Sequence, residues 1–225
     1  MEQTADPPLI ICFGDSLTAG YQSPTPACPV LRETPYGVRL QERLGSSARV
    51  AVSGVCGEVT GEMALRFPSD VLARRPDSVV ILGGTNDLGG NAEPSEIMRN
   101  LLHMYGQAVA AGIRPVAVTV PSIRIEASTK ASHQFLRDHL ARRQALNSSI
   151  SEYCAQQGIP CVDLFTATVE KDTLCLAAPF SNDGLHLTTD GYATLADLLY
   201  EQVFGSRFRP FQAGQRNASW QSYRP

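Results

Sequence analysis

The amino-acid sequence predicts a three-layer α/β/α domain built around a parallel β-sheet of about five strands. Short apolar runs alternate with amphipathic helical patterns from one end of the chain almost to the other. The runs contain no alternating polar positions, which is typical of strands that are covered on both faces. The length of 225 residues and the hydrophobic fraction of 43% suit one sizeable core. Because strands and helices alternate, we expect right-handed crossovers that place helices on both faces of the sheet.

The strand predictions follow from the apolar runs. The predicted strands are residues 9–13, 50–52, 79–82 and 116–120, with residues 160–164 as a weaker fifth. Each run is short and is followed by polar residues or by a helical pattern, so the runs are interpreted as strands rather than as buried helices.

Two helical segments are predicted in the first third of the chain. The first carries Tyr36 and Leu44 on its apolar side and ends at Gly45. The second covers residues 60–75, where Pro68 is expected to break or kink the helix because proline cannot donate the helical hydrogen bond. We therefore expect two helical pieces in this segment.

Three longer helices are predicted in the rest of the chain. One begins at Pro94 and is stopped by Gly112, and the next is stopped by Gly158. The last begins with Thr188 or Thr189 as its N-cap.

A single domain is expected over residues 1–204, because no shift in composition and no internal repeat marks a second one. After residue 204 the helical pattern ends. Residues 205–225 carry four arginines and no acidic residue, and they are interpreted as a polar C-terminal tail.

Composition excludes several classes of function. Lys and Arg number 19 and Asp and Glu 22, so the formal net charge of −3 gives no global reason to bind nucleic acid or an anionic membrane. No apolar run approaches the roughly 20 residues of a bilayer span, so stable membrane insertion is not expected. The start of the chain lacks the features of a secretory signal, so the expected location is the cytoplasm. The six cysteines are scattered without C-x-x-C, which favours reduced thiols.

Chemically capable residues follow three of the predicted strands. Ser16 lies in the Gly-rich segment after the first strand, Gly57 in the segment after the second, and Asn86 in the segment after the third. Asp183 and His186 lie far down the chain, just before the last helix. Because ligands bind at the carboxyl ends of the strands in open α/β sheets, we expect these residues to meet at one edge.

The residue types match the needs of acyl transfer. A serine hydroxyl such as that of Ser16 is a weak nucleophile and needs a base within hydrogen-bond reach, which His186 can supply. Asp183 is three residues before His186, and one turn can bring its carboxylate to the imidazole ring. The N–H groups of Ser16 and Gly57 and the amide of Asn86 can serve as donors to a developing oxyanion.

Four short blocks of this sequence, in order, resemble the SGNH hydrolase family, also called the GDSL esterases/lipases. The blocks are Gly14-Asp15-Ser16-Leu17, Gly57, Gly84-Thr85-Asn86-Asp87 and Asp183-Gly184-Leu185-His186. The resemblance covers roughly residues 9–204 and departs from the family in the second block, where Val52-Ser53-Gly54 stands in place of a frequent Asn. It implies a flavodoxin-like sheet with strand order 2-1-3-4-5 and metal-independent ester hydrolysis.

The resemblance also implies roles for individual residues. Ser16 would be the nucleophile, His186 the base and Asp183 the residue that orients it. Ser16, Gly57 and Asn86 would form the oxyanion hole. Each has a structural alternative: Ser16 as a helix N-cap, Asp183 as a turn residue, Asn86 as a loop-stabilising amide and Gly57 as a tight-turn glycine.

Other polar residues are interpreted as structural. Asp15 and Asp87 are expected to bond local backbone N–H groups. His103 and His133 are expected to be surface or solvated residues, and His139 is placed on a charged outer helix face with its neighbouring arginines. Cys56 is expected to be a small buried residue.

The sequence therefore predicts a carboxylic ester hydrolase that acts through a covalent acyl-Ser16 intermediate on small or short-chain acyl esters. The alternatives are a deacetylase of acetylated sugars or metabolites, a lysophospholipase or thioesterase, and, from another class, a non-catalytic anion binder. Neither H-E-x-x-H nor Cys/His metal spacing is present, so no metal or cofactor is expected. Residues 21–34, 121–133 and 165–180 are the candidate pocket loops, and the oligomeric state is left open.

Overall fold

A five-stranded parallel sheet lies at the centre of the structure, a computed structural model that describes residues 6–125 and 130–207. In chain order the strands are Leu9–Gly14 (β1), Tyr21–Gln22 (β2), Arg32–Glu33 (β3), Arg49–Gly54 (β4), Ser78–Leu82 (β5), Arg114–Val118 (β6) and Cys161–Val162 (β7). The α-helices are Ser16–Ala19 (α1), Tyr36–Leu44 (α2), Thr60–Asp70 (α3), Thr85–Gly89 (α4), Pro94–Ala110 (α5), Lys130–Gln157 (α6), Leu164–Thr168 (α7) and Thr189–Leu199 (α8).

The strand order of the main sheet is β4-β1-β5-β6-β7, and every neighbouring pair is parallel. Counted along the main sheet alone this is the order 2-1-3-4-5, so the predicted three-layer fold is confirmed. The short strands β2 and β3 pair with each other as an antiparallel ribbon outside this sheet, which the sequence did not predict.

Two hydrophobic clusters, one on each face of the sheet, form the core. Ile10 and Cys12 of β1 face the layer of α2 and α8, whereas Ile11 and Phe13 face the layer of α3, α5 and α6. All four side chains are fully buried. Because alternate residues of a strand point to opposite faces, burial of both faces explains why the strands are continuous apolar runs.

Helix α3 continues through Pro68, and the helical segment divides at Val71 instead. The expected two helical pieces are therefore present, but the prediction that they divide at Pro68 is wrong. Pro68 is close to the end of α3, so the missing N–H costs only one hydrogen bond near the terminus. Met63, Phe67 and Val71 pack in the core and hold the segment in place.

Two further boundaries differ from the predictions. Strand β6 covers Arg114–Val118 rather than residues 116–120, and α6 begins at Lys130, so the exposed His133 lies in a helix rather than in a loop. Most of the predicted tail, residues 208–225, lies outside the described residues, as do residues 126–129 of the second predicted pocket loop. Within the described ranges, no helix has the length and apolarity that a membrane span would need.

Candidate active site

The segment after β1 presents Ser16 at the start of a one-turn helix. The carboxylate of Asp15 caps this helix by accepting the N–H of Leu17 at 2.9 Å. Gly14 allows the tight approach to β5, because a Cβ there would lie 2.2 Å from the carbonyl oxygen of Leu82. The helix ends at Gly20, whose φ of 81° lies in the left-handed region that favours glycine. Ser16 is thus held on a short, closely packed turn.

The structure brings Ser16, His186 and Asp183 into one hydrogen-bonded line. The Nε2 atom of His186 lies 3.1 Å from Oγ of Ser16, and its Nδ1 atom lies 2.7 Å from Oδ2 of Asp183. With the proton on Nδ1, the ring donates to Asp183 and leaves Nε2 free to accept the Ser16 hydroxyl proton. This order of groups is the arrangement that a serine nucleophile and its base require.

Asp183 accepts hydrogen bonds from several donors besides the imidazole. Its Oδ1 atom accepts the backbone N–H groups of Leu185 and His186, each at 2.8 Å, and its Oδ2 atom accepts the Ser23 hydroxyl at 2.5 Å. Burial acts to raise the pKa of Asp183, but the hydrogen bonds from His186, Ser23 and the backbone outweigh it and hold the pKa well below its usual range. The carboxylate facing His186 is therefore ionised at neutral pH.

The turn that carries Asp183 and His186 is attached to the loop after β6. The N–H of Arg124 donates to the carbonyl of Gly184 at 2.8 Å, and the Arg124 guanidinium donates to the carbonyl of Ser181 at 2.8 Å. Gly184 has a φ of 82°, and a Cβ there would lie 2.0 Å from the carbonyl oxygen of Arg124. Only glycine permits this close approach without displacing the turn.

The β2–β3 ribbon supports the other side of the imidazole. The ring of Tyr21 lies with its centroid 4.5 Å from that of His186. Tyr192 of α8 donates its hydroxyl proton to the carbonyl of Tyr21 at 2.7 Å, which ties the ribbon to α8. Tyr21 and Ser23 lie in the predicted pocket segment 21–34, but their individual contacts with the site were not predicted, because nothing local in the sequence links them to residues 160 or more positions away.

Asn86 contacts the loop that carries Gly57. Its Nδ2 atom donates to the carbonyl of Glu58 at 2.8 Å, which uses one of the two amide hydrogens. Gly57 is exposed and has a φ of 81°, and a Cβ there would meet nothing within 4 Å among the described residues. Glycine is therefore required at this position for its backbone conformation rather than for space.

Asp87 links the third block to the second, which corrects the prediction that it bonds local backbone. Its carboxylate accepts the N–H of Thr60 at 3.0 and 3.1 Å and the Thr60 hydroxyl at 2.5 Å, across 27 positions of sequence. It thereby satisfies a donor at the start of α3. Asp15, by contrast, bonds Leu17 as predicted.

His139 and Arg143 are buried beside the site, so the prediction of a charged outer face is wrong. Their exposed fractions are 3% and 1%. Arg143 donates to the Thr85 hydroxyl at 3.1 Å and to the carbonyl of Pro121, and its Nη2 atom lies 3.1 Å from Nε2 of His139. Burial, together with the nearby Arg143 charge, lowers the pKa of His139 to about 4, so the ring is neutral.

A spacing signal could have located this pair. His139, Arg143, Leu146 and Ile150 recur at helical intervals, and all four are buried. Arginine is so rarely buried that this pattern is easily mistaken for an outer face. The prediction for Cys56 is also wrong, because its side chain is exposed on the loop before Gly57.

Comparisons with known proteins agree with the fold described above. The model of a family described as GDSL-like Lipase/Acylhydrolase matches residues 12–194. A lipase/acylhydrolase from Enterococcus faecalis is 27% identical, with a TM-score of 0.71 over 92% of this chain and 100% of that one. A carbohydrate acetylesterase from Sinorhizobium meliloti shares the fold at 18% identity, with a TM-score of 0.70 over 88% of this chain and 99% of that one. An uncharacterized lipoprotein from Bacillus subtilis (strain 168) is 28% identical over 116 residues, which are 49% of this chain but only 47% of that relative.

Asp15 differs from the other buried carboxylates near the site because one of its oxygens lacks a partner. The residue is fully buried, and Oδ2 has no hydrogen-bond partner among the described residues. Burial raises the pKa of Asp15 to about 7, and the nearby Asp87 carboxylate acts in the same direction. The folded protein therefore holds this proton more tightly than the unfolded chain does.

We predict that Asp15→Asn becomes more stable relative to the wild type as the pH rises. The carboxyl of an aspartate in an unfolded chain titrates near ~3.9, whereas that of Asp15 in the folded protein has a pKa of about 7. The contribution of the Asp15 proton to the free energy of unfolding is therefore complete below about 3.9 and is lost as the pH rises through about 7. The neutral amide has no such loss. The difference in free energy of unfolding should grow between these pH values by up to about 4 kcal/mol and then level off.

Urea unfolding at several pH values from 4 to 8 measures this difference. Asp172→Asn, which removes a carboxylate at an exposed position, is the matched control. A difference for Asp15→Asn that does not change with pH would contradict the raised pKa of Asp15.

Proposed function

The chain belongs to the GDSL-like lipase/acylhydrolase family, and from this premise we propose that it hydrolyses carboxylic esters through a covalent acyl-Ser16 intermediate. The observation that carries the proposal is the hydrogen-bonded line of Ser16, His186 and Asp183, with separations of 3.1 and 2.7 Å. A non-catalytic anion binder would have no use for this line of three groups.

The proposed reaction has two steps that share one base. Nε2 of His186 removes the hydroxyl proton of Ser16 while Oγ attacks the ester carbonyl carbon, and the protonated ring then gives that proton to the leaving alcohol. In the second step His186 removes a proton from water, which attacks the acyl-Ser16 carbonyl. The carboxylic acid leaves, the proton returns to Oγ, and the enzyme is restored.

Asp183 orients the ring throughout this cycle. Its ionised carboxylate holds the proton on Nδ1 of His186 in the resting state and stabilises the imidazolium that forms during each step. The low pKa of Asp183 supports this role, because the carboxylate remains charged when the ring becomes positive.

Three donors are proposed for the oxyanion that forms on the carbonyl oxygen. They are the backbone N–H groups of Ser16 and Gly57 and the second amide hydrogen of Asn86. Removal of one such donor costs about 3–4 kcal/mol of transition-state stabilisation in comparable sites. The hydrogen bond from Asn86 to the carbonyl of Glu58 supports the assignment, because it fixes the plane of the amide.

Small or short-chain acyl esters are the proposed substrates. Exposed apolar side chains that adjoin the site in sequence include Val55, which follows β4, and Ile125, which adjoins the Arg124 segment that holds the turn of His186. Acetylated sugars are the second candidate, favoured by the fold shared with the S. meliloti carbohydrate acetylesterase. Lysophospholipids and thioesters would use the same machinery.

We predict that a fluorophosphonate probe labels the wild type at Ser16. Ser16→Ala should not be labelled, because the phosphorus has no other activated oxygen at this site. His186→Ala should be labelled at least about 10²-fold more slowly, because the base is lost. Intact-mass measurement and peptide mapping report both results.

Ser46→Ala is the matched control for this experiment. Ser46 is exposed in the turn that follows α2, and the variant should be labelled at the wild-type rate. An unlabelled wild type would favour the anion binder, and persistent labelling of Ser16→Ala would disprove Ser16 as the nucleophile.

The substrate class is tested with p-nitrophenyl esters from acetyl to palmitoyl and with acetylated sugars. We predict that kcat/KM is highest for the shortest acyl groups and falls along the series. A maximum at palmitoyl would refute the short-chain proposal, and higher kcat/KM for sugar acetates would favour the deacetylase.

A further inference from the structure

Arg66 of α3 lies behind two of the loops that carry the proposed oxyanion donors. Its side chain is only 16% exposed, and its guanidinium lies 4.1 Å from the centroid of the Phe13 ring. Each of its three guanidinium nitrogens donates to at least one acceptor. The acceptors are both carboxylate oxygens of Glu58 at 2.6–2.8 Å, the Ser53 hydroxyl at 2.7 Å, Asp70 at 2.8 Å and the carbonyl oxygen of Gly14 at 2.8 Å.

Two of these acceptors adjoin the proposed donors in the chain. The Gly14 carbonyl is two residues before Ser16, and Glu58 directly follows Gly57. The Gly14 carbonyl also accepts the N–H of Val55 at 3.0 Å, which draws the two loops together. One guanidinium therefore spans the gap between the loop of the nucleophile and the loop of Gly57.

The third donor joins the same network through the backbone. The carbonyl of Glu58 accepts the side chain of Asn86, so the position of Glu58 determines where that amide points. A displacement of Glu58 would thus move two of the three proposed donors, Gly57 directly and Asn86 through its hydrogen bond.

Electrostatics makes Glu58 depend on Arg66. The Glu58 side chain is 8% exposed, and a carboxylate that is so poorly hydrated must be paired, become protonated or turn towards water. Without the guanidinium, Glu58 would take up a proton or turn towards water, and either change would release the loop around Gly57. The pair thus holds the loop in one position as well as neutralising charge.

We propose that Arg66 is a positioning residue that sets the relative placement of the three oxyanion donors. The inference rests on the proposed function, in which those donors act on the tetrahedral intermediate. Because the donors gain their full strength only in the transition state, their displacement should lower kcat and leave KM nearly unchanged.

The test compares Arg66→Met and Arg66→Lys with Arg43→Met. Arg43 lies on the opposite face of the sheet and, like Arg66, contacts two carboxylates and an aromatic ring. Its guanidinium lies 2.5 Å from Asp197, 3.6 Å from Glu201 and 4.2 Å from the centroid of the Tyr200 ring. Fluorophosphonate titration gives the active fraction of each variant, and p-nitrophenyl acetate hydrolysis gives kcat and KM across the pH range.

We expect Arg66→Met to lower kcat by about 10–100-fold with KM within about twofold of the wild type. Arg66→Lys keeps a positive charge beside Glu58 but loses the planar guanidinium that bonds several acceptors at once. Its kcat should therefore lie between that of Arg66→Met and that of the wild type. Arg43→Met should keep the wild-type kcat. The shape of the kcat/KM pH profile should be unchanged in all variants, because Asp183 and His186 are not among the groups that Arg66 contacts in the described part of the chain.

Wild-type kcat in both Arg66 variants, or an equal loss in Arg43→Met, would overturn the inference. A changed pH profile would overturn it too, since the triad would then be disturbed. If Arg66→Met does not fold, the kcat of Arg66→Lys alone tests the positioning role of Arg66. A wild type that neither labels nor hydrolyses esters would overturn the proposed function and this inference together, whereas an active wild type with unaffected Arg66 variants overturns this inference alone.

Discussion

The hydrogen bond between Ser16 and His186 joins residues that are 170 positions apart, and the rest of the site depends on it. The strand order makes the contact possible. Strand β1 lies between β4 and β5, so Ser16, which follows β1, lies near the middle of the carboxyl ends of the strands. The packing of α8 against the sheet brings the other end of the chain to the same edge. The topology of the fold thus brings together two residues that no local segment of the chain could bring into contact.

Buried polar contacts behind this edge connect the functional loops to one another. Arg66 joins the loops of Gly14 and Glu58, and Asp87 joins the third block to the start of α3 at Thr60. Arg143 supports the turn at Thr85. Buried charges cost free energy unless they are well paired, and apolar side chains in the same places would avoid that cost. We infer that these charged groups serve to fix the positions of the loops.

The sequence could predict the fold because its strands are buried on both faces and its helices end at glycines such as Gly45 and Gly158. The β2–β3 ribbon was missed because strands of two residues show no periodicity. Motif spacing located Ser16, Asn86 and His186, whose proposed roles stay predictions. Ser23 could not be found in this way, because it lies outside the four blocks and its contact with the Asp183 carboxylate exists only in the folded chain.

A crystal structure of the fluorophosphonate adduct would show whether Ser16 is the nucleophile and where the oxyanion lies. We expect a covalent bond from Oγ of Ser16 to phosphorus, with a phosphoryl oxygen about 2.7–3.1 Å from the N–H nitrogens of Ser16 and Gly57 and from Nδ2 of Asn86. His186 should remain within hydrogen-bond reach of the adduct and of Asp183. Phosphorus bound elsewhere, or a phosphoryl oxygen that faces solvent away from these donors, would contradict this expectation.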